Sequence, residues 1–161
     1  MPMLEGRREA KGLHFAVVVS RYNDFVTERL LAGAREGLAG GGVLESDLTV
    51  LRVPGAYEIP IAAQRAAETG RFAAVIALGC LIRGATPHFD YIASAVSQGL
   101  IAAAAATGVP MAFGVLTTNS AEEAIERVGP GAANKGWEAA AAAMEMATLF
   151  GALESAGRSA T

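Results

Sequence analysis

The chain has 161 residues, which suits one domain with a substantial core. Its net charge is −3 and it has no basic block, which argues against nucleic acid as a partner. One cysteine excludes an intrachain disulfide and a cysteine-cluster metal site, and two distant histidines lack the spacing of a zinc site. Hydrophobic residues make up 52% and charged residues 18%, so we expect further copies of the chain to cover part of the surface.

The N-terminal residues are charged where a signal peptide needs an apolar run, and no stretch approaches the length of a membrane span. We therefore expect a soluble, cytoplasmic protein with no cofactor, no metal and no membrane partner. Residues 1–12 are predicted to form an N-terminal arm, and residues 13–161 a single domain.

Apolar, β-branched runs alternate with helical patterns along the chain. Asn23 or Asp24 can cap the first helix, and the glycines at 40–42 end it without the spacing of a phosphate loop. Ser120 and Glu123 have capping-box spacing. Strands are predicted over 14–20, 48–53, 72–78 and 111–116. Five helices are also predicted: the first ends at about 38, the second ends at about 70, the third runs from 87 to 107, the fourth ends at 128 and the fifth runs from 134 to 154. The last seven residues are predicted to be frayed.

Four strand–helix units predict an α/β protein, a flavodoxin-like three-layer sandwich with helices on both faces of a parallel sheet. The expected strand order is 2-1-3-4. Ligands bind such sheets beyond the carboxyl ends of the strands. The unusual residues gather at those ends, at 21–22, 54–58, 79–88 and 117–120. This edge of the sheet is the predicted site.

The segment 79–91 has features of a ligand site. Gly79 and Gly84 lack a Cβ, so a ligand can lie close to the backbone. Thr86 can cap a helix that begins at Pro87, which places His88 in the first turn, where the helix dipole favours a neutral imidazole. Free N–H groups at the helix start form an anion site, with Arg83 nearby.

Each of these residues also has an ordinary structural interpretation. A lone histidine is more often structural than catalytic, and Arg83 could be a surface charge. Cys80 has no paired base, so it is interpreted as a small hydrophobe rather than a nucleophile. Arg127 could cap its short helix. The alanine runs at 101–106 and 139–143 suit helix filler or a packing interface, and Trp137 favours the interface.

The segment Arg-Gly-Ala-Thr-Pro-His-Phe-Asp-Tyr at 83–91 resembles the active-site segment of the lumazine synthase family. Further matching segments occur in the same order at 21–23, 53–60, 114–119 and 134–136. The resemblance implies condensation of 5-amino-6-(D-ribitylamino)uracil with 3,4-dihydroxy-2-butanone 4-phosphate. The products are 6,7-dimethyl-8-ribityllumazine, phosphate and water, in the penultimate step of riboflavin biosynthesis.

The resemblance also implies a role for each matching residue. His88 would move protons, and Tyr22, where the family usually has Phe, would stack on the pyrimidine ring. Tyr57 is a second replacement of the usual Phe. The residues implied to bind the ribitylaminouracil are Tyr22, Ala56, Tyr57, Glu58, Cys80, Leu81, Ile82, Phe113 and Lys135. Those implied to bind the butanone phosphate are Ala85, Thr86 and Arg127.

By the same resemblance, Phe113, Arg127 and Lys135 complete the site of a neighbouring subunit, so the active unit is a homo-oligomer, typically a pentamer. The short connection at 129–135 goes with sixty-subunit icosahedral shells in the family. An extra N-terminal strand shared with a neighbour and riboflavin synthase as a partner are further expectations. One alternative is a flavin- or nucleotide-binding flavodoxin-like module. Such a module has a phosphate loop after its first strand, and Ser20 to Asn23 does not match that loop. The other alternative is a non-catalytic shell protein.

Overall fold

A computed structural model describes residues 1–159 of the chain, in which strands and helices alternate. The strands are β1 (Phe15–Ser20), β2 (Leu48–Val53), β3 (Ala74–Ile82) and β4 (Met111–Thr118). The helices are α1 (Asp24–Gly40), α2 (Ile59–Glu68), α3 (His88–Thr107), α4 (Ala121–Glu126) and α5 (Lys135–Ser159).

All four strands pair in parallel, in the order β2-β1-β3-β4. The central strand β1 is buried along its whole length, as its unbroken run of apolar side chains predicts. The α/β flavodoxin-like fold and its strand order are therefore confirmed. The carboxyl ends of the strands meet at one edge of the sheet, where the loops that follow them also lie.

Each face of the sheet carries its own layer of helices. Val17 and Val19 point into the core beneath α1 and α5, whereas Ala16 and Val18 point into the core beneath α2 and α3. In the first layer, a Cβ on Gly136 would collide with the carbonyl oxygen of Leu30, so α1 and α5 are in close contact.

The alanine run at 139–143 lies in this layer. Four of its five residues are buried within the chain, so it packs against its own α1 and core rather than against a partner. Trp137 also packs within the chain, against Gly37 and beneath the guanidinium of Arg8 at 5.6 Å. Trp137 is only half-buried by these contacts, and its expected place at an interface between copies stays a prediction.

Helix α3 leaves most of its apolar surface uncovered. The most apolar stretch of 18 residues within it has a mean hydropathy of 1.2, and 17% of that stretch is buried. By length and composition alone α3 could cross a membrane, so the expectation that no stretch approaches a span is wrong. One such helix is weak evidence for a span. Ile101, which is 74% exposed, shows that its outer face is apolar.

The largest differences between predicted and observed boundaries lie at the ends of β3 and α5. Strand β3 continues to Ile82, four residues beyond its predicted end, because β4 pairs with it as far as Ile82. Helix α5 extends to Ser159, so residues 155–159 are helical rather than frayed, and residues 160–161 lie outside the described part.

The N-terminal arm, residues 1–12, contacts the rest of the chain through backbone amides. The amide of Arg7 donates to Thr148 Oγ1, and the amide of Ala10 donates to the Gly41 carbonyl.

Candidate active site

A cleft of about 850 Å³ opens at the carboxyl ends of β1, β2 and β3. The loops after these strands and the first turns of α3 form its walls. Its lining residues are Tyr22, Asn23, Pro54, Gly55, Ala56, Tyr57, Glu58, Cys80, Leu81, Ile82, Gly84, Thr86, His88, Phe89 and Ile92. This is the edge at which parallel α/β sheets bind ligands.

The two tyrosines of the cleft present their rings to its open space. Tyr22 is 72% exposed and Tyr57 is 62% exposed. The backbone behind Tyr22 is fixed, because the amides of Arg21 and Tyr22 donate to the carbonyls of Val53 and Pro54. An exposed ring on a fixed backbone is suited to stacking on a flat ligand.

Asn23 behaves differently from its predicted role as a capping side chain. It precedes α1 in the left-handed conformation, and its side-chain amide donates to the carbonyl of Cys80 at 2.9 Å instead of capping the helix. The β1–α1 loop is thereby joined to the end of β3.

Two short segments contribute three lining residues each to the cleft. Residues 56–58 form one turn of 3₁₀ helix before α2, and residues 80–82 are the last three residues of β3. The Cys80 side chain is buried in the core, and this burial raises the pKa of its thiol to about 11. The thiol therefore stays protonated at neutral pH, in agreement with the interpretation as a small hydrophobe.

The two glycines of the central segment serve different purposes. A Cβ on Gly79 would lie 2.9 Å from Ile59 Cδ1, so Gly79 permits helix α2 to pack closely, not a ligand. A Cβ on Gly84 would meet no atom within 4 Å, and Gly84 lines the cleft. Both glycines were predicted to leave the backbone open to a ligand, and only Gly84 does so.

His88 is the first residue of α3 and faces the cleft. The predicted cap differs by one residue: Pro87 holds the N-cap position and the Thr86 side chain does not cap this helix within the described residues. Thr86 still lines the cleft, and Ala85 lies between the lining residues Gly84 and Thr86 without lining it.

Arg83 is not an unpaired cation at the predicted anion site. Its guanidinium contacts both carboxylate oxygens of Asp90 at 3.2 and 3.3 Å, donates to Asn119 Oδ1 at 3.1 Å and lies 4.4 Å from the centre of the Phe89 ring. These contacts join the 83–87 loop to the first turn of α3 and to the loop after β4. Arg83 thus braces the segment that carries His88.

Phe113, Arg127 and Lys135 lie apart from the cleft. They line a separate pocket of about 230 Å³ along β4, the β4 pocket, together with residues 114–117. Phe113 is 51% exposed. The cleft and the β4 pocket share no lining residue.

The two cations of the β4 pocket already have contacts within the chain. Arg127 follows α4 and donates from Nη1 to the carbonyl of Glu123 at 2.8 Å, the contact expected of a helix cap. Lys135 Nζ lies 2.8 Å from Glu138 Oε2, and Asn134 caps the helix that carries Lys135. One guanidinium donor is thus used, while the group keeps further N–H donors for a ligand.

The structure brings nine of the predicted residues into one cleft: Tyr22, Ala56, Tyr57, Glu58, Cys80, Leu81, Ile82, Thr86 and His88. It also adds Asn23, Phe89 and Ile92, for which no individual role was predicted, whereas the remaining lining residues Pro54, Gly55 and Gly84 lie in the predicted stretches 54–58 and 79–88. Their positions beside predicted residues, in segments that follow strands, were the available signal. Nothing in the sequence marked the contact between Asn23 and Cys80, which are 57 residues apart.

Comparison with known proteins agrees with this geometry. Residues 12–151 match the family model described as 6,7-dimethyl-8-ribityllumazine synthase. The chain is similar to the 6,7-dimethyl-8-ribityllumazine synthase of Syntrophus aciditrophicus (strain SB), with 54% identity over 146 residues that cover 91% of this chain and 95% of the relative. The chain belongs to the 6,7-dimethyl-8-ribityllumazine synthase family of riboflavin-biosynthetic transferases.

Proposed function

We propose that the cleft is where this chain carries out the family's reaction. That reaction condenses 5-amino-6-(D-ribitylamino)uracil with 3,4-dihydroxy-2-butanone 4-phosphate to 6,7-dimethyl-8-ribityllumazine, phosphate and water. The observation that supports this location is the presence of His88 in one cleft with an exposed aromatic ring and two backbone segments. The cleft thus offers a proton carrier, a stacking surface and hydrogen-bonding groups for two substrates.

The pyrimidine substrate is proposed to stack on Tyr22. Backbone groups of 56–58 and 80–82 bind its ring and ribityl chain, with the Glu58 carboxylate as an acceptor for ribityl hydroxyls. Backbone donors and acceptors do not depend on the side chain, so Cys80 is tolerated there with its thiol turned into the core.

The phosphate of the second substrate is proposed to bind at the start of α3. Amides of Ala85 and Thr86 contribute donors near the positive end of the helix dipole. Arg127 from a second copy of the chain completes this subsite, because a guanidinium fork matches phosphate oxygens. Phe113 and Lys135 of that copy are proposed to close the cleft over the pyrimidine.

His88 is proposed to move protons through the sequence of steps. The 5-amino group of the uracil attacks the ketone carbon, water leaves, and a Schiff base forms. Elimination then releases phosphate. After tautomerisation of the resulting enol, the ribitylamino nitrogen attacks the remaining carbonyl carbon, and a second water leaves as the ring closes. Each step needs a proton added or removed, which one imidazole at the mouth of the cleft supplies. Holding the two substrates together supplies much of the remaining acceleration.

Assembly into a homo-oligomer is supported by two features of the single chain. The cleft and the β4 pocket are separate, and α3 leaves an apolar face uncovered. A pentamer is proposed as the basic unit, with a sixty-subunit shell favoured by the short 129–135 connection. Cytoplasmic location, an N-terminal strand paired with a neighbour and contact with riboflavin synthase remain predictions.

The direct test of the location combines the purified protein with both substrates. Lumazine fluorescence and phosphate release are followed against a protein-free control, and the oligomer size is measured on the same sample. We expect both signals to rise together, and a Tyr22→Ala variant of the same size to lose affinity for the pyrimidine. Unchanged pyrimidine binding in Tyr22→Ala would contradict the proposed location.

A further inference from the structure

We propose that Asn23 is a positioning residue, which sets the distance between Tyr22 and the end of β3 across the cleft. The inference rests on the proposed binding of the pyrimidine between these two groups. Asn23 acts through its neighbours: its backbone carries the loop that presents Tyr22, and its side chain holds the carbonyl of Cys80.

The backbone of Asn23 is the first observation. With φ 65° and ψ 45°, it is the single non-glycine residue with positive φ within residues 1–159. L-residues seldom adopt this conformation, and asparagine tolerates it better than most. The conformation turns the chain sharply from β1 into α1, and the Asn23 carbonyl accepts the amides of Val26 and Thr27 in the first helical turn.

The side chain of Asn23 supplies the second observation. The β1–β3 ladder ends at the pair Val19–Leu78, whereas β3 continues to Ile82 with only β4 beside it in register. The Cys80 carbonyl therefore lies beyond the last residue of β1 that pairs with β3. Asn23 Nδ2 donates to this carbonyl at 2.9 Å and so takes the place of a further ladder hydrogen bond.

These contacts converge on the pyrimidine side of the cleft. Tyr22 is held on one side by the Pro54 carbonyl and on the other by Asn23, which in turn holds the end of β3. Without the Asn23 side-chain amide, Tyr22 and the end of β3 can move apart. The pyrimidine can then no longer stack on Tyr22 and contact the backbone of β3 equally well at the same time. The phosphate subsite at the start of α3 does not contain this hydrogen bond.

The test separates the side-chain bond from the backbone conformation. Asn23→Gly keeps the left-handed turn without strain and removes the amide, whereas Asn23→Ala removes the amide and strains the turn. Asn23→Asp keeps the shape but replaces the donor by a carboxylate. We expect all three variants to raise the Michaelis constant for the pyrimidine, by about fivefold to tenfold in Asn23→Gly, because one part-buried hydrogen bond is lost.

A merely structural role would give a different pattern. In Asn23→Gly, we expect the Michaelis constant for the butanone phosphate and the oligomer size to stay at their wild-type values. The control is Asp24→Asn, a change at the neighbouring exposed residue, which should also leave both values unchanged. A wild-type pyrimidine constant in Asn23→Gly, or an equal rise for both substrates, would overturn the proposal. If Asn23→Ala fails to assemble, Asn23→Gly and Asn23→Asp still decide it.

Tyr22→Ala distinguishes this proposal from the proposed function on which it rests. If Tyr22→Ala raises the pyrimidine constant and Asn23→Gly does not, the positioning role fails and the location of the site stands. If neither variant changes it, the location fails as well.

Discussion

The cleft and the β4 pocket differ in how they are built. The cleft is lined by residues 56–58, which follow β2, and by residues 80–82, which end β3. The β4 pocket combines Phe113 of the edge strand β4 with Arg127, which follows α4, and Lys135, the first residue of α5. The pairing of the strands therefore positions the cleft segments, whereas the β4 pocket brings two cations and an aromatic side chain together along an edge strand. Two such halves suit a site that is completed between copies.

The largest expected effect concerns the cleft itself. His88→Ala should lower kcat by about 100-fold to 1,000-fold, because a general acid–base group is lost. Turnover should remain above the protein-free rate, since the two substrates are still held together. Steady-state kinetics with fluorescence detection measure this. His14→Ala is the matched control, because His14 lies outside the cleft and near Asp47, and it should keep wild-type turnover. Complete loss of activity in correctly assembled His88→Ala would contradict the prediction.

The next effect concerns the β4 pocket. Arg127→Ala should raise the Michaelis constant for the butanone phosphate by about tenfold to 100-fold, because charged hydrogen bonds to phosphate are lost. The constant for the pyrimidine should change little. Arg35→Ala, which removes an exposed arginine paired with Glu45, serves as the control. An unchanged Michaelis constant for the butanone phosphate would mean that Arg127 only caps its helix through the Glu123 carbonyl.

A mixing experiment tests whether the two halves come from different chains. His88→Ala and Arg127→Ala subunits are dissociated, mixed in equal amounts and reassembled. In a ring with one cleft and one β4 pocket at each interface, about one quarter of the sites then pair two intact halves. We expect activity to recover towards that fraction of wild type. Activity no higher than the average of the separate variants would mean that both halves act within one chain.

The smallest expected effect concerns Cys80, a lining residue of the cleft whose thiol is buried. Because the pKa is raised to about 11, iodoacetamide at pH 8 should label the native protein slowly and the denatured protein rapidly. Mass spectrometry measures both rates. The same shift predicts a contribution to stability that is present below pH 9 and is lost as the pH rises towards 11, because the unfolded thiol ionises first. Rapid labelling of the native form would show that the thiol is accessible.

Local sequence patterns were enough to predict the architecture of this protein. Short β-branched runs bounded by glycine and proline predicted the strands, and the alternation with helical patterns predicted a parallel sheet with the site at its carboxyl edge. His88 was placed at the start of α3 within one residue, because proline and glycine mark helix boundaries locally. Nine predicted site residues meet in the cleft because they lie at or beyond the carboxyl ends of strands whose order was predicted correctly.

The contacts between segments far apart in the chain could be seen only in the folded structure. The bond from Asn23 to Cys80, the pairing of Arg83 with Asp90 and Asn119, and the burial of the alanine run against α1 depend on which surfaces pack together. Side-chain orientation is set by such packing, so local pattern could not predict it. Packing also places Phe113, Arg127 and Lys135 in the β4 pocket, apart from the cleft. This separation agrees with the family resemblance, which implied that these three residues complete the site of a neighbouring copy.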